Sequence, residues 1–354
     1  MRRGLACLAG ALSAVVLGAC GASAQGTGAA ASAQGTSAAR PQSPATVQAH
    51  ASSTTPGASG PPCGAAAGEA VASSVGLVAS RIYQREVASP GVRADQRQVE
   101  TYVPLLDALA SGNQASVKQA VTRLVYSGTH IVRLRVTRGG VLLADVGGPY
   151  IIAPVGGNLR FHGRTVGHYL LSVQDDLGYV KLETRYVGMP LVLYGGSRRV
   201  PLEGALAPGP PSIPDLGPVH YRGASYEAFS FTAEAFPRGP LRISLLVPLT
   251  GSLARSSCAA IKVSALGRVA QRVWQRFSLA GAPPSAYVRS SQALTGSLSY
   301  VRSGAHQIAG STQPGPARIP DQGSVRYRGV TYGVSSFAAR TADAPVRVYL
   351  LVPQ

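Results

Sequence analysis

Val71, Val75, Val78 and Ile82 are spaced by four, three and four residues, which lays them along one face of a helix. Pro90-Gly91 ends that pattern. Two further helical stretches follow, near Gln98–Leu109 on Val99, Val103 and Leu106, and near Ala115–Val125 on Val117, Val121 and Leu124, with Ser127-Gly128 as a stop. The period then changes from helix to strand. Ile131–Val136 alternates Val132, Leu134 and Val136 with Arg133 and Arg135, and Gly139-Gly140 turns it into Val141–Val146. Arg164–Val173, Leu191–Tyr194, Val219–Tyr221, Ser225–Thr232 and Leu241–Val247 read as further strands completing an antiparallel sheet, with Pro237-Arg238-Gly239-Pro240 as the last turn. The expected fold class is α+β.

The chain resembles itself. Ile213-Pro214-Asp215, Tyr221-Arg222-Gly223, Tyr226 and Ser230-Phe231 recur as Ile319-Pro320-Asp321, Tyr327-Arg328-Gly329, Tyr332 and Ser336-Phe337, at a constant offset of 106. Upstream, Val78–Arg85 is similar to Val269–Arg276. Two copies are too few and too long for a solenoid, so each is one helix-then-strands unit. The second copy repeats the leading helix and about four strands, without the insert that the first copy carries.

The N-terminus points to export. Arg2 and Arg3 precede an apolar stretch from Leu5 to Leu17, shorter than the roughly 20 residues that span a bilayer. Leu17-Gly18-Ala19-Cys20 resembles the lipobox of bacterial lipoproteins, which implies a signal peptide over 1–19 and acylation of Cys20. Ala22-Ser23-Ala24 is a competing site for ordinary secretion. Residues 21–60 are almost wholly Ala, Gly, Ser, Thr, Gln and Pro, a composition that cannot offset its ordering entropy and reads as a tether. The expected divisions are thus 1–19, 20–60, a domain over 61–250 and the partial repeat over 251–354. Once Cys7 leaves with the signal peptide and Cys20 is acylated, Cys63 and Cys258 remain in the folded part. They are a candidate disulfide in an oxidising compartment, or two buried thiols.

The formal net charge is +18, and only three of the 33 basic residues are lysines (Lys118, Lys181, Lys262). As an exported chain it is not expected to bind nucleic acid despite this charge. Arg268, Arg272 and Arg276 form a basic stripe suited to anionic lipid or cell-wall polymer, or a plain solvated helix face. Arg133 and Arg135 face the same side of their strand, to hold a carboxylate or phosphate or to meet solvent. Asp175-Asp176 is either a site for an amine or cation or the N-cap of a helix over Leu177–Tyr186. No metal-ligand spacing, nucleotide loop or nucleophile motif is present, so no enzyme and no cofactor is expected.

The strand Ile131–Val136 with its Gly139-Gly140 turn, Ala144–Gly148, Gly163–Gly167, Leu171–Leu182 and the Tyr221–Tyr226 hairpin together resemble a Cache domain, the PAS-like extracytoplasmic sensor module, over roughly 65–250. The resemblance implies a small-ligand pocket on one face of a sheet and a long helix on the other. Candidate ligand residues are Arg133, Arg135, Tyr169, Asp175, Asp176 and Tyr179. It also implies a membrane signalling partner, because the chain carries no kinase or methyl-accepting region. The expected location is the outer face of the cell membrane. The alternative is a structural lipoprotein that uses its basic surface on the envelope.

Overall fold

The computed structural model describes residues 61–127, 130–148, 151–195, 198–199, 212–221, 223–237, 239–249 and 255–354. Cys20, the leader and the 20–60 segment lie outside these residues.

The helical stripe forms α1 (Ala67–Val87), and all four of its predicted residues are buried. α2 (Pro90–Thr101) follows at once, because Ser89 accepts a hydrogen bond from the Val92 N–H and Pro90 needs no donor in the first turn. One helix was expected near 98–109, and two are found. Tyr102 is extended (ψ 95°), and Pro104, in the first turn of α3 (Val103–Ser111), has no N–H to give the Glu100 carbonyl and so cannot continue α2. Gly112, left-handed at φ 73°, ends α3, and Asn113 caps α4 (Gln114–Tyr126).

The strands between 131 and 247 are divided among sheets rather than joined in one. β1 (Arg133–Arg138), β2 (Val141–Gly147), β3 (Ile151–Ile152), β4 (Val155–Phe161), β5 (Arg164–Ser172) and β6 (Gln174–Asp175) precede α5 (Asp176–Tyr186). After α5 come β7 (Leu191–Gly195), β8 (Arg198–Arg199), β9 (Leu216–Tyr221), β10 (Ala224–Ala233), β11 (Ala235–Phe236) and β12 (Leu241–Pro248). The second copy consists of α6 (Cys258–Leu279), α7 (Pro284–Thr295), β13 (Leu298–Ser303), β14 (His306–Gly310), β15 (Gln322–Tyr327), β16 (Val330–Arg340) and β17 (Pro345–Pro353).

The sheets are ordered β2-β1-β5-β4, β8-β7-β12-β10-β9 and β14-β13-β17-β16-β15, and the small sheet β11-β3-β6 bridges the first two. The two five-stranded sheets share one topology. The second copy therefore has a full sheet, including the β13–β14 hairpin that its sequence had not disclosed. What it lacks is the segment from α2 to β6.

That segment has its own core, in which Leu105, Leu109, Val121 and Leu124 meet Leu134, Val136, Leu159 and Leu171. A second, larger core joins the two copies. Val75, Val78 and Ile82 of α1 meet Val269 and Val273 of α6, with Ile243 and Leu245 beneath the first helix and Val348 and Leu350 beneath the second. β12 and β17 are apolar on both faces, since Leu246 and Leu351 belong to smaller clusters on the far sides of their sheets. The Cys63–Cys258 disulfide, with Cα atoms 4.8 Å apart, ties the two helices where they begin.

Gly76 and Gly267 are equivalent positions on α1 and α6, and they let each helix touch its own sheet. A Cβ on Gly76 would fall into the Phe229 ring, and one on Gly267 would fall onto Ser335; Phe229 and Ser335 are themselves offset by 106.

Candidate functional site

The six residues expected to hold a ligand do not converge. Arg133 and Arg135 share Asp145 of the neighbouring strand: Arg133 Nε lies 2.6 Å from Oδ1, and Arg135 Nη2 lies 2.8 Å from Oδ2. Arg133 also donates to the Gly148 carbonyl. Both guanidinium groups lie over the Phe236 ring, at 5.7 and 5.3 Å from its centroid. Burial raises the Asp145 carboxyl, but the hydrogen bonds and charges of the two arginines outweigh it and hold the group below the usual carboxylate range. The pair is thus half-buried and engaged with Asp145. It fastens β1 to β2 and covers Phe236 of the bridging sheet.

Tyr169 points the other way, into the core beneath α2, where its hydroxyl donates to Glu100 (2.8 Å) and accepts from Gln96 Nε2 (3.2 Å). Burial and the Glu100 contact raise its phenol. Asp175 is the N-cap of α5 and accepts from the Gly178 N–H at 2.6 Å. Asp176 is in the first turn, where burial raises its carboxyl.

Tyr179 is fully buried against Tyr83, and its hydroxyl donates to Glu183 Oε1 at 2.7 Å. Glu183, with no exposed surface, was missed in the sequence. Desolvation pushes its carboxyl up to about 8, against the hydrogen bond from Tyr179, and the nearby Glu86 adds to the rise. No hydrogen-bond partner among the described residues reaches its Oε2.

One arginine of the basic stripe on α6 hydrogen-bonds outside its own helix. Arg272 donates to the Thr184 carbonyl of α5 (3.3 Å), and the charge of Arg276 acts on Tyr186 of the same helix. Arg268 bonds only Ser264 of its own helix.

A groove of about 480 Å³ opens elsewhere, between α1 and α6. Ala70, Ser73, Ser74, Leu77 and Arg81 form one wall, and Cys258, Ala259, Lys262 and Leu266 the other. The end of α7 with Ser297, and the end of β17, close it. The volume falls within the roughly 300–1,000 Å³ of small-molecule sites. Its shape follows from the duplication: two helices tied at their origins each turn toward their own sheet, and the second copy's α7 and β17 form the floor.

Arg81 is held in place by a hydrogen bond from Nη1 to the Leu294 carbonyl (3.1 Å), near the end of α7. Gly296, at φ 71°, makes room for it, since a Cβ there would stand 2.9 Å from Nη1. The hydroxyls of Ser73, Ser74 and Thr295 donate to the carbonyls of Glu69, Ala70 and Ser291 on their own helices. The buried Ser297 Oγ has no partner among the described residues, and neither has the exposed Lys262. These walls lie up to 284 positions apart in the chain (Ala70 to Gln354), so only the repeat at Arg81 and Arg272 hinted at them.

Among the described residues no helix is long and apolar enough to cross a membrane, and no group of three or more His, Cys, Asp or Glu could hold a metal ion. No family model matches the chain, and no curated protein matches it. Among solved structures it is similar to the periplasmic domain of Vibrio cholerae LuxQ, at 9% identity and a TM-score of 0.17, over 80% of this chain and 99% of that one. The selenomethionine form of the same domain matches at 9% identity and a TM-score of 0.15, over 81% and 97%. Similarity of this degree carries no residue-by-residue correspondence. The fold is mixed α+β with antiparallel sheets and a helical N-terminal region, and its weak structural neighbours are periplasmic domains.

Proposed function

We propose that the protein is an extracytoplasmic, lipid-anchored binding module of Cache-like build, without catalytic activity, which captures a small molecule and presents it to a membrane partner. The single observation that carries this reading is the groove between α1 and α6, built from both copies and lined by polar and apolar side chains together. Export is supported by the leader and by a disulfide of the kind that persists in oxidising compartments. Anchoring rests on the Leu17-Gly18-Ala19-Cys20 motif.

Thermal-shift screening of the purified chain against small metabolites tests the binding. Leu77→Trp, at a half-exposed position on the groove wall, serves as the blocked variant. Compounds that raise the Tm of the wild type and not of Leu77→Trp support the reading. A screen without stabilisers, or with equal shifts in both proteins, overturns it. Labelling with radioactive palmitate, lost in Cys20→Ser, tests the anchor separately.

A further inference from the structure

We infer that the groove between α1 and α6 takes a small organic anion, a carboxylate on an apolar body, with its charge received by Arg81 and Lys262. This rests on the binding reading above and specifies its chemistry.

The inference starts from which hydrogen-bonding groups on the wall are still free. A hydroxyl has one proton to give, and those of Ser73, Ser74 and Thr295 are already given to backbone carbonyls. Arg81 spends one of its five N–H groups on Leu294, which orients the guanidinium and leaves the rest of its donors. Lys262 has three donors and no partner among the described residues, and the Ser297 hydroxyl is buried and unpaired. The charged part of this unused capacity is cationic, in Arg81 and Lys262, whereas the hydroxyl lone pairs and the Gln354 amide are neutral.

The chain has only 15 acidic residues, so their lack on a 15-residue wall is uninformative by itself; the fixed arginine and the free donors carry the inference. Leu77, Leu266, Val352 and Pro353 form the apolar part of the wall and favour an organic anion over a bare inorganic one.

The two cations also come from different copies. Arg81 belongs to α1 and is braced by α7, whereas Lys262 belongs to α6. At the position equivalent to Arg81, Arg272 is braced on Thr184 and lies outside this groove. The site is thus one-sided within a duplicated frame.

Isothermal titration of the full chain with hexanoate and with hexanamide tests the inference, using the wild type, Arg81→Gln, Lys262→Met, Leu77→Trp and, as a charge-matched control, Arg272→Gln. Thermal melts establish that each variant is folded. The expected result is hexanoate binding at least tenfold tighter than hexanamide, weakened at least tenfold by Arg81→Gln and by Lys262→Met and left unchanged by Arg272→Gln. Equal affinity for the two probes, both blocked by Leu77→Trp, would overturn the anion inference and leave the binding reading standing. Hexanoate bound equally by all the variants would be general attraction to a basic protein, and would overturn it too. Failure of both probes in the folded wild type overturns the anion inference, while the metabolite screen decides the binding reading independently.

Discussion

Arg81 and Arg272 occupy equivalent positions on α1 and α6, and each donates across to the other copy: Arg81 to the Leu294 carbonyl at 3.1 Å, Arg272 to the Thr184 carbonyl at 3.3 Å. Each passes a left-handed glycine, Gly296 at φ 71° and Gly188 at φ 75°, where a side chain would collide with the guanidinium. A cation near the carbonyl end of a helix also complements its dipole. The duplication thus exchanges arginines between copies, Arg81 of α1 bracing α7 and Arg272 of α6 bracing α5. Arg272→Ala is expected to lower unfolding free energy by about 0.5–1.5 kcal/mol, as an exposed hydrogen bond to a backbone carbonyl warrants. Urea denaturation checks it, and no change in midpoint would mean the exchange is incidental.

Close helix-to-sheet contact gives a sharper prediction. Gly76→Ala forces a methyl into the Phe229 ring and is expected to destabilise by about 1–3 kcal/mol, despite alanine's better helix propensity. Gly267→Ala meets the smaller Ser335 and is expected to cost less. Thermal melts of the two variants rank them, and the reverse order would contradict the packing described.

Much of this arrangement was legible in the chain. The 4-3-4 stripe of α1 is buried as its period requires, and Asp175 caps a helix at the point where a strand ends. The rest depended on register. Arg133 and Arg135 do face one side, but Arg135 lies directly opposite Asp145, and that pairing depends on a register shift between Val136 and Thr137 that no alternation rule reveals. Pro104, which splits the expected helix into α2 and α3, was a local signal passed over. The groove was hinted at only by the repeat of α1 in α6, with the Cys63–Cys258 pair at their origins, since its walls meet only when α6 lies beside α1.

Glu183 carries the pH dependence. Its folded pKa is raised to about 8, whereas an unfolded glutamate titrates at about 4.3, so the folded chain binds more protons between these values. Its contribution is therefore most favourable below pH about 4, declines as pH rises to about 8, and is flat above. Glu183→Gln keeps a neutral group beside Tyr179 and is expected to remove that decline, with a gain of roughly 3–5 kcal/mol at pH 9 and little at pH 4. Denaturation at several pH values, read as the difference between variant and wild type, measures it.

The Cys63–Cys258 disulfide closes a span of 195 residues. Cys258→Ser is expected to destabilise by about 2–5 kcal/mol. Because the bond ties α1 to α6 where the groove begins, the same variant is expected to weaken any groove ligand. Melts and titrations of the variant test both effects.

Asp145 offers a control for the site assignment. Asp145→Ala leaves two half-buried arginines without their shared carboxylate and is expected to destabilise by about 3 kcal/mol, while leaving ligand affinity in the groove unchanged once the variant is folded. Lost affinity in the folded variant would return the site to Arg133 and Arg135.

Hydrogen–deuterium exchange with saturating hexanoate locates binding without assuming a site. The account predicts slower exchange in peptides covering 70–81, 258–266 and 295–297, with no change over 133–145. Protection confined to 133–145, or none at hexanoate concentrations that calorimetry shows to saturate the protein, would contradict it.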